Sequence, residues 1–378
     1  ARGLGVRDDD DRRSGVGDGS EGCGHQGLRL AAHRDAGALQ PIFGQIQNRL
    51  ALRGIDMVEW AVLDGDQPRR AALDPERLRP IVYAVLSPDS TAAAREMGGL
   101  NGLDRAQRLG EALQKLAEDR ASVLVSLNPS IAPSGGGIDP IASVLNTTGL
   151  RARTGTPILE EGFGSGGRAV ATDIAAIAEA SEHPLAVAVA RLPTLMLWPV
   201  PLDIEQAGSH AWQPILSLDG RETRWAEAEW LRLWQTPRPA RSAMRDAPDF
   251  DELRDTRDGP WVVAAAGQPR EDAETANAFN RLVVVGSNGW QASTVAFASG
   301  EVDGRAALLY PGNAELFESA VLWLAGKDDQ LGQSAAARSL PLISPIESGR
   351  LSAIRWLLIA GLPLLVLVVG VVVRVVWR

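Results

Sequence analysis

Residues 81–86 read IVYAVL and residues 122–127 read SVLVSL. Each is a short apolar run without polar alternation, the signature of a strand covered on both faces. Between them, residues 104–119 set Leu109, Ala112, Leu113 and Leu116 on one helical face. Strand, helix and strand in this order predict parallel pairing through a right-handed crossover. The pattern extends in both directions. Upstream, Leu39, Ile42, Phe43, Ile46 and Leu50 form a helical stripe that Gly54 stops, followed by a strand-like run at 55–63. Downstream, WVVAAA at 261–266 and RLVVVG at 281–286 restore the buried-strand composition. Asn313 is placed to cap a helix over 314–325, with Phe317, Ala320, Val321 and Leu324 as its stripe and Gly326 as its stop. Residues 37–326 therefore read as an α/β domain, a layered and mostly parallel sheet.

Residues 130–260 are less regular and read as a subdivided middle. Residues 134–137 are a Gly-rich loop, and 141–145 a short helix. The run GFGSGG at 162–167 lacks a following Lys-Ser/Thr pair, so it reads as a mobile connection rather than a phosphate loop. Residues 173–180 read as a small Ala-rich helix, and 185–190 and 194–200 as strands. Trp212, Trp225, Trp230 and Trp234 crowd the next stretch. They suit core packing or a protein interface, or an aromatic platform for sugar; the interleaved Glu222, Glu227 and Glu229 would repel a phosphate backbone.

The last segment is of another kind. Residues 356–373 read WLLIAGLPLLVLVVGVVV, without a charge, and as a helix would span roughly 27 Å, close to a bilayer's hydrocarbon core. Trp356 and Trp377 suit the interfacial zones at its ends, and Arg355, Arg374 and Arg378 can extend outward there. Pro363 is tolerable in a membrane helix. Gly361 and Gly370 leave shallow spots for a packing partner, without the four-residue spacing of the usual dimer motif. Residues 354–378 are expected to be a transmembrane helix with a short tail, reached through a linker at 327–353.

The net charge of −9 over 378 residues argues against a nucleic-acid partner. One cysteine, Cys23, precludes an intrachain disulfide framework. Residues 1–36, with the acidic run Asp8 to Asp11 and Gly-rich sequence, read as disordered or aberrant. His25, His33 and Cys23 there match no standard zinc spacing. Ala1 in place of Met reads as a chain that has lost its own beginning.

Chemistry leaves few marks. There is no Gly-x-Ser-x-Gly elbow, HExxH, CxxC, Walker lysine or GxGxxG at a strand end. Within the folded region the histidines are His183 and His210, neither with an acidic partner at a recognisable offset. Triad members come from distant positions, so Ser87, Ser126 and Ser287 stay as candidate nucleophiles. Loops at the carboxyl ends of parallel strands are where α/β sheets bind ligands. That makes Ser287 and Asn288, after 281–286, and Asn128, after 122–127, the candidate ligand residues. No metal or cofactor is indicated.

Taken in order, RLVVVGSNGW, YPGNAELFESAVLWLAG and SPIESGRLSAIRWLLIAGLPLLVLVVG between Arg281 and Arg378 carry a resemblance. With the strand-then-Pro elements at 81–88 and 122–129, they are similar to the auxiliary components of uncharacterised ABC-type transport systems, the group that includes the gliding-motility-associated GldG proteins. The resemblance covers about residues 39–378. It implies a fold like the class I glutamine amidotransferases, flavodoxin-like in layout, without their nucleophile. It also implies an extracytoplasmic domain on the cytoplasmic membrane beside a separately encoded ABC permease and ATPase. The family's N-terminal membrane helix and its Gly-His-Gly-Glu-like first loop have no counterpart in residues 1–36. The leading expectation is a membrane-anchored, non-enzymatic auxiliary subunit that binds a partner or ligand. A tethered hydrolase or amidotransferase-like enzyme is the second reading, and a carbohydrate-binding module using the tryptophans the third.

Overall fold

The buried-strand composition finds its explanation in a sheet with helices on both faces. The computed structural model describes residues 28–33, 40–60, 79–91, 100–164, 167–236, 247–271, 278–302, 305–331 and 359. In chain order, β1 (Leu28–His33), α1 (Gln40–Leu52), β2 (Ile55–Trp60), β3 (Ile81–Leu86), α2 (Gly102–Glu118) and β4 (Ser122–Ser126) come first. The middle supplies α3 (Pro140–Asn146), β5 (Leu150–Ala152), β6 (Ile158–Gly164), β7 (Gly167–Ala171), β8 (Asp173–Ala178), α4 (Pro184–Val189), β9 (Thr194–Leu197) and β10 (Leu202–Ile204). Then follow β11 (His210–Leu218), β12 (Arg224–Ala226), α5 (Leu231–Gln235), β13 (Trp261–Pro269), β14 (Leu282–Val285), α6 (Ser293–Ala296), the hairpin β15 (Ser299–Val302) and β16 (Arg305–Leu308), and α7 (Pro311–Leu324).

The main sheet runs β2-β1-β3-β4-β14-β13-β11-β8-β9, with β10 and β5 attached to β13. Its first five strands are parallel; every pairing from β14 onward to β9, and those of β10 and β5, is antiparallel. The sheet is mixed, which corrects the expectation of a mostly parallel one. A parallel return needs a crossover of a dozen residues or more. The antiparallel half instead pairs strands that follow one another along the chain, β8 with β9 and β13 with β14.

Alternate residues of the parallel strands feed two cores. Val82, Ala84 and Leu86 of β3 and Val283 and Val285 of β14 pack with α1, α4 and α7. Tyr83 and Val85, with Leu282 and Val284, pack with α2 and α3. With both pleat faces covered, no polar alternation remains. Helix α2 starts where Asn101 and Asp104 form a capping box. Gly54, at φ +70°, ends α1 as expected.

Several elements differ from the sequence reading. Strand β1 lies within residues 1–36, between β2 and β3; in its sequence LRLAAH, Arg29 and His33 interrupt the apolar run that marks the other parallel strands. Residues 173–178 are strand, not helix. Ile174 and Ala176 are buried while Ala175 and Ile177 are exposed, and pairing to β9 and β11 outweighs alanine's weak helical preference. Residues 184–189 are helix, not strand, because His183 caps Leu185 N and Pro184 fills the first turn. The GFGSGG run is the tip of the β6–β7 hairpin rather than a loose connection, with Gly164 opposite Gly167; residues 165–166 lie outside the described residues. Helix α7 begins before Asn313, which therefore does not cap it. Every residue from Gly312 to Leu324 is buried, not one stripe alone. Past Gly326, residues 328–330 form a 3-10 turn tied to Arg281 by Asp328, so the folded body continues beyond the expected linker start.

Among the described residues no helix is long and apolar enough to cross a membrane. Trp356, Gly361, Pro363, Gly370 and Arg374 of the expected anchor lie outside the described residues, as does Cys23.

Candidate functional site

The three candidate ligand residues converge at the carboxyl edge of the parallel strands. Beyond the last ladder pair of β3, the Ser87 carbonyl has lost its strand neighbour. Asn128 Nδ2, after β4, donates to it at 3.0 Å, and Asn288 Nδ2, after β14, at 2.7 Å. Two amides from two strand ends thus fill both lone pairs of one carbonyl. Asn288 Oδ1 accepts from Gly289 N at 3.1 Å, and Gly289 turns the chain at φ +88°.

Ser287 is fully buried. Its Oγ accepts from Leu197 N at 2.9 Å and donates to Leu197 O at 2.8 Å. Two residues back along β9, Asn313 does the same with an amide: Oδ1 accepts from Leu195 N at 2.8 Å, and Nδ2 donates to Leu195 O and to Trp290 O, both at 2.8 Å. Val200 N then donates to Gly286 O at 2.7 Å. The far end of the sheet path, β9, is thereby stitched back onto the end of β14. Two side chains stand in for a neighbouring strand, satisfying backbone groups that would otherwise be unpaired. The sequence makes Asn313 a candidate helix cap; its offset from the Pro311 start is the local sign otherwise.

The other candidate nucleophiles are buried as well. Ser126 is fully buried and its Oγ accepts from the Trp290 indole at 3.1 Å. Ser87 is 4% exposed. His183 and His210 are at the opposite edge, while His33 ends β1 at the carboxyl edge. His210 pairs with Pro269, two residues beyond the Gly267 that faces Leu282 at the start of β14. Its Nε2 lies 3.1 Å from Phe279 O and its Nδ1 2.9 Å from Ser209 Oγ. Burial lowers its pKa, against the bond to Phe279. His183 stacks edge-on against Trp323, over which Arg281, just before β14, also lies. Its Nδ1 accepts from Leu185 N at 3.2 Å. Burial first, and then the Arg281 charge, hold its pKa down at about 4. From Arg281 to Ser287 is six residues of extended chain, roughly 20 Å, too far for a proton transfer.

The tryptophans separate. Trp225 and Trp230 are buried in a satellite core with Trp198, under the small sheet β12-β6-β7. Trp234 stacks on Trp198 and donates to Asp89 at 3.3 Å. Trp212 is elsewhere, on β11 at the amino edge. Beneath the satellite core, Glu227 is 2% exposed and accepts from the Trp225 indole and from Glu229 N, both at 2.7 Å. Burial outweighs those bonds and raises its pKa to about 7.

No family model matches the chain, and no curated protein does. Among solved structures it is similar to a cytoplasmic protein from Salmonella typhimurium, at 9% identity and TM-score 0.41, over 78% of this chain and 98% of that one. It is also similar to a glutamine amidotransferase from Thermotoga maritima, at 9% identity and TM-score 0.36, over 80% and 99%. At this distance neither likeness bears on the chemistry of the chain.

Proposed function

We propose that the chain is a membrane-anchored, non-enzymatic auxiliary subunit of an ABC-type transport system, with an amidotransferase-like domain outside the cytoplasmic membrane held by a helix over residues 354–378. The observation that carries the non-enzymatic part is the state of the carboxyl edge. Ser287, Asn288 and Asn128 are engaged in closing the sheet, Ser126 holds Trp290, and His183 and His210 stand at the other edge, which leaves His33, at the end of β1, as the histidine on this edge among the described residues. The apolar run at 356–373 and the resemblance in residues 281–378 support the rest. The domain would act by presenting a surface to the permease, the ATPase or their cargo. Purifying the full chain from its native membranes in mild detergent tests this. Co-recovery of a six-helix permease and a Walker-motif ATPase is expected, and repeated failure to recover either would overturn the reading. A tethered hydrolase would instead require acyl or amide turnover that disappears in Ser87→Ala, Ser126→Ala or Ser287→Ala.

A further inference from the structure

At the amino edge of the sheet, remote from the Ser287 loop, β11 and β13 meet the turn after β10 in an open cleft of about 560 Å³. That size lies within the range of small-molecule sites. Trp212 forms its aromatic wall. A Cβ on Gly267 would lie 2.8–2.9 Å from three atoms of the Trp212 ring, Cδ2, Cε2 and Cε3, so one ring face lies flat on the backbone of β13. The indole N–H donates to Thr148 O at 2.9 Å, which fixes the ring in its plane. Glycine at 267 leaves the room this needs. The polar lining is Glu205, Gln206, His210, Gln268, Arg270 and Glu271. Arg270 is oriented by a bond to Gln206 O at 2.6 Å.

We propose that this cleft binds a sugar ring, stacked on Trp212 and held at its hydroxyls by the planar carboxylates and amides around it. A pyranose has an apolar C–H face that matches a fixed indole and an equatorial rim of hydroxyls that planar side chains grip in pairs. Two carboxylates against one guanidinium disfavour a phosphorylated ligand such as a nucleotide. The inference does not rest on the transport reading, since the cleft and the stitched carboxyl edge are at opposite ends of β14.

The experiment titrates the full chain in detergent with cello-, chito-, malto- and manno-oligosaccharides and with adenosine, by calorimetry and tryptophan fluorescence. Binding of at least one sugar series with Kd below about 10 mM is expected. Trp212→Ala should weaken it at least about tenfold, Trp212→Phe less. Should Trp212→Ala misfold, Glu205→Gln and Glu271→Gln on the lining give the second reading, each expected to weaken the same series severalfold. The proposal is overturned if no sugar series binds, if adenosine alone binds, or if bound sugar is indifferent to every one of these substitutions.

Discussion

Ser287 and Asn313 together satisfy the N–H and C=O of both Leu197 and Leu195. Removing Ser287 Oγ leaves two backbone groups of Leu197 without that partner, and a part-buried group so stranded costs about 1–3 kcal/mol. Ser287→Ala should therefore lower the unfolding free energy obtained from urea titration by that amount, and Asn313→Ala by at least as much, while Ser287→Thr, which keeps the oxygen, recovers part of it. Two further residues make stability depend on pH, in opposite senses. Glu227 has a folded pKa raised from 4.5 to about 7, so between those values the folded chain holds a proton that the unfolded chain releases. Its contribution falls as pH rises through that window. Glu227→Gln should gain melting temperature relative to the parent between pH 4.5 and 7, measured as the difference between the two curves. His183 has a folded pKa lowered from 6.5 to about 4, so the unfolded chain binds the extra proton first. Its contribution is present above 6.5 and lost as pH falls toward 4, where the cap on Leu185 N loses its acceptor. NMR should show an imidazole midpoint near 4, and a midpoint near 6.5 would contradict the buried cap.

At the scale of elements, the closure of β9 onto β14 needs close approach of two backbones. A Cβ on Gly286 would run into Val200 O, so Gly286→Ala must push the two segments apart. A loss of about 1–3 kcal/mol is expected, as for overpacking elsewhere, and urea unfolding checks it. The elements themselves were unevenly legible. β3, β4 and β14 showed in sequence because burial on both faces is written into every residue of a strand. Residues 173–178 (DIAAIA) and 184–189 (PLAVAV) exchange strand and helix relative to their sequence reading, because six mostly apolar residues hold too few periods to distinguish the two. There the decision belonged to partners: β9 and β11 for the strand, the His183 cap for the helix.

For the whole molecule, the two cores and the satellite around Trp225 and Trp230 involve residues up to Leu331. A chain ending at residue 331 should thus fold with the same melting behaviour as the full domain. The full chain should sediment with membranes after a carbonate wash, and the shortened one should remain in solution. Sedimentation of both, or of neither, would count against an anchor in residues 356–373. Charge adds little to this, since Arg350 and Arg355 on one flank balance Arg374 and Arg378 on the other.

The α/β class, the parallel core strands, the carboxyl-edge position of Asn128, Ser287 and Asn288, and an apolar segment long enough for a bilayer are legible in the residues alone. These are properties of local composition and spacing, which every neighbour in the chain reinforces. The folded chain alone reveals that the sheet is mixed, that β1 belongs to it, and that the polar residues at its carboxyl edge hold the fold together. It also reveals that Trp212 stands apart from the other tryptophans. The reason is distance along the chain. Asn288 meets Ser87 across 201 residues, Ser287 meets Leu197 across 90 and Asn313 meets Leu195 across 118, and no local pattern records a hydrogen bond whose other half is folded in from so far away.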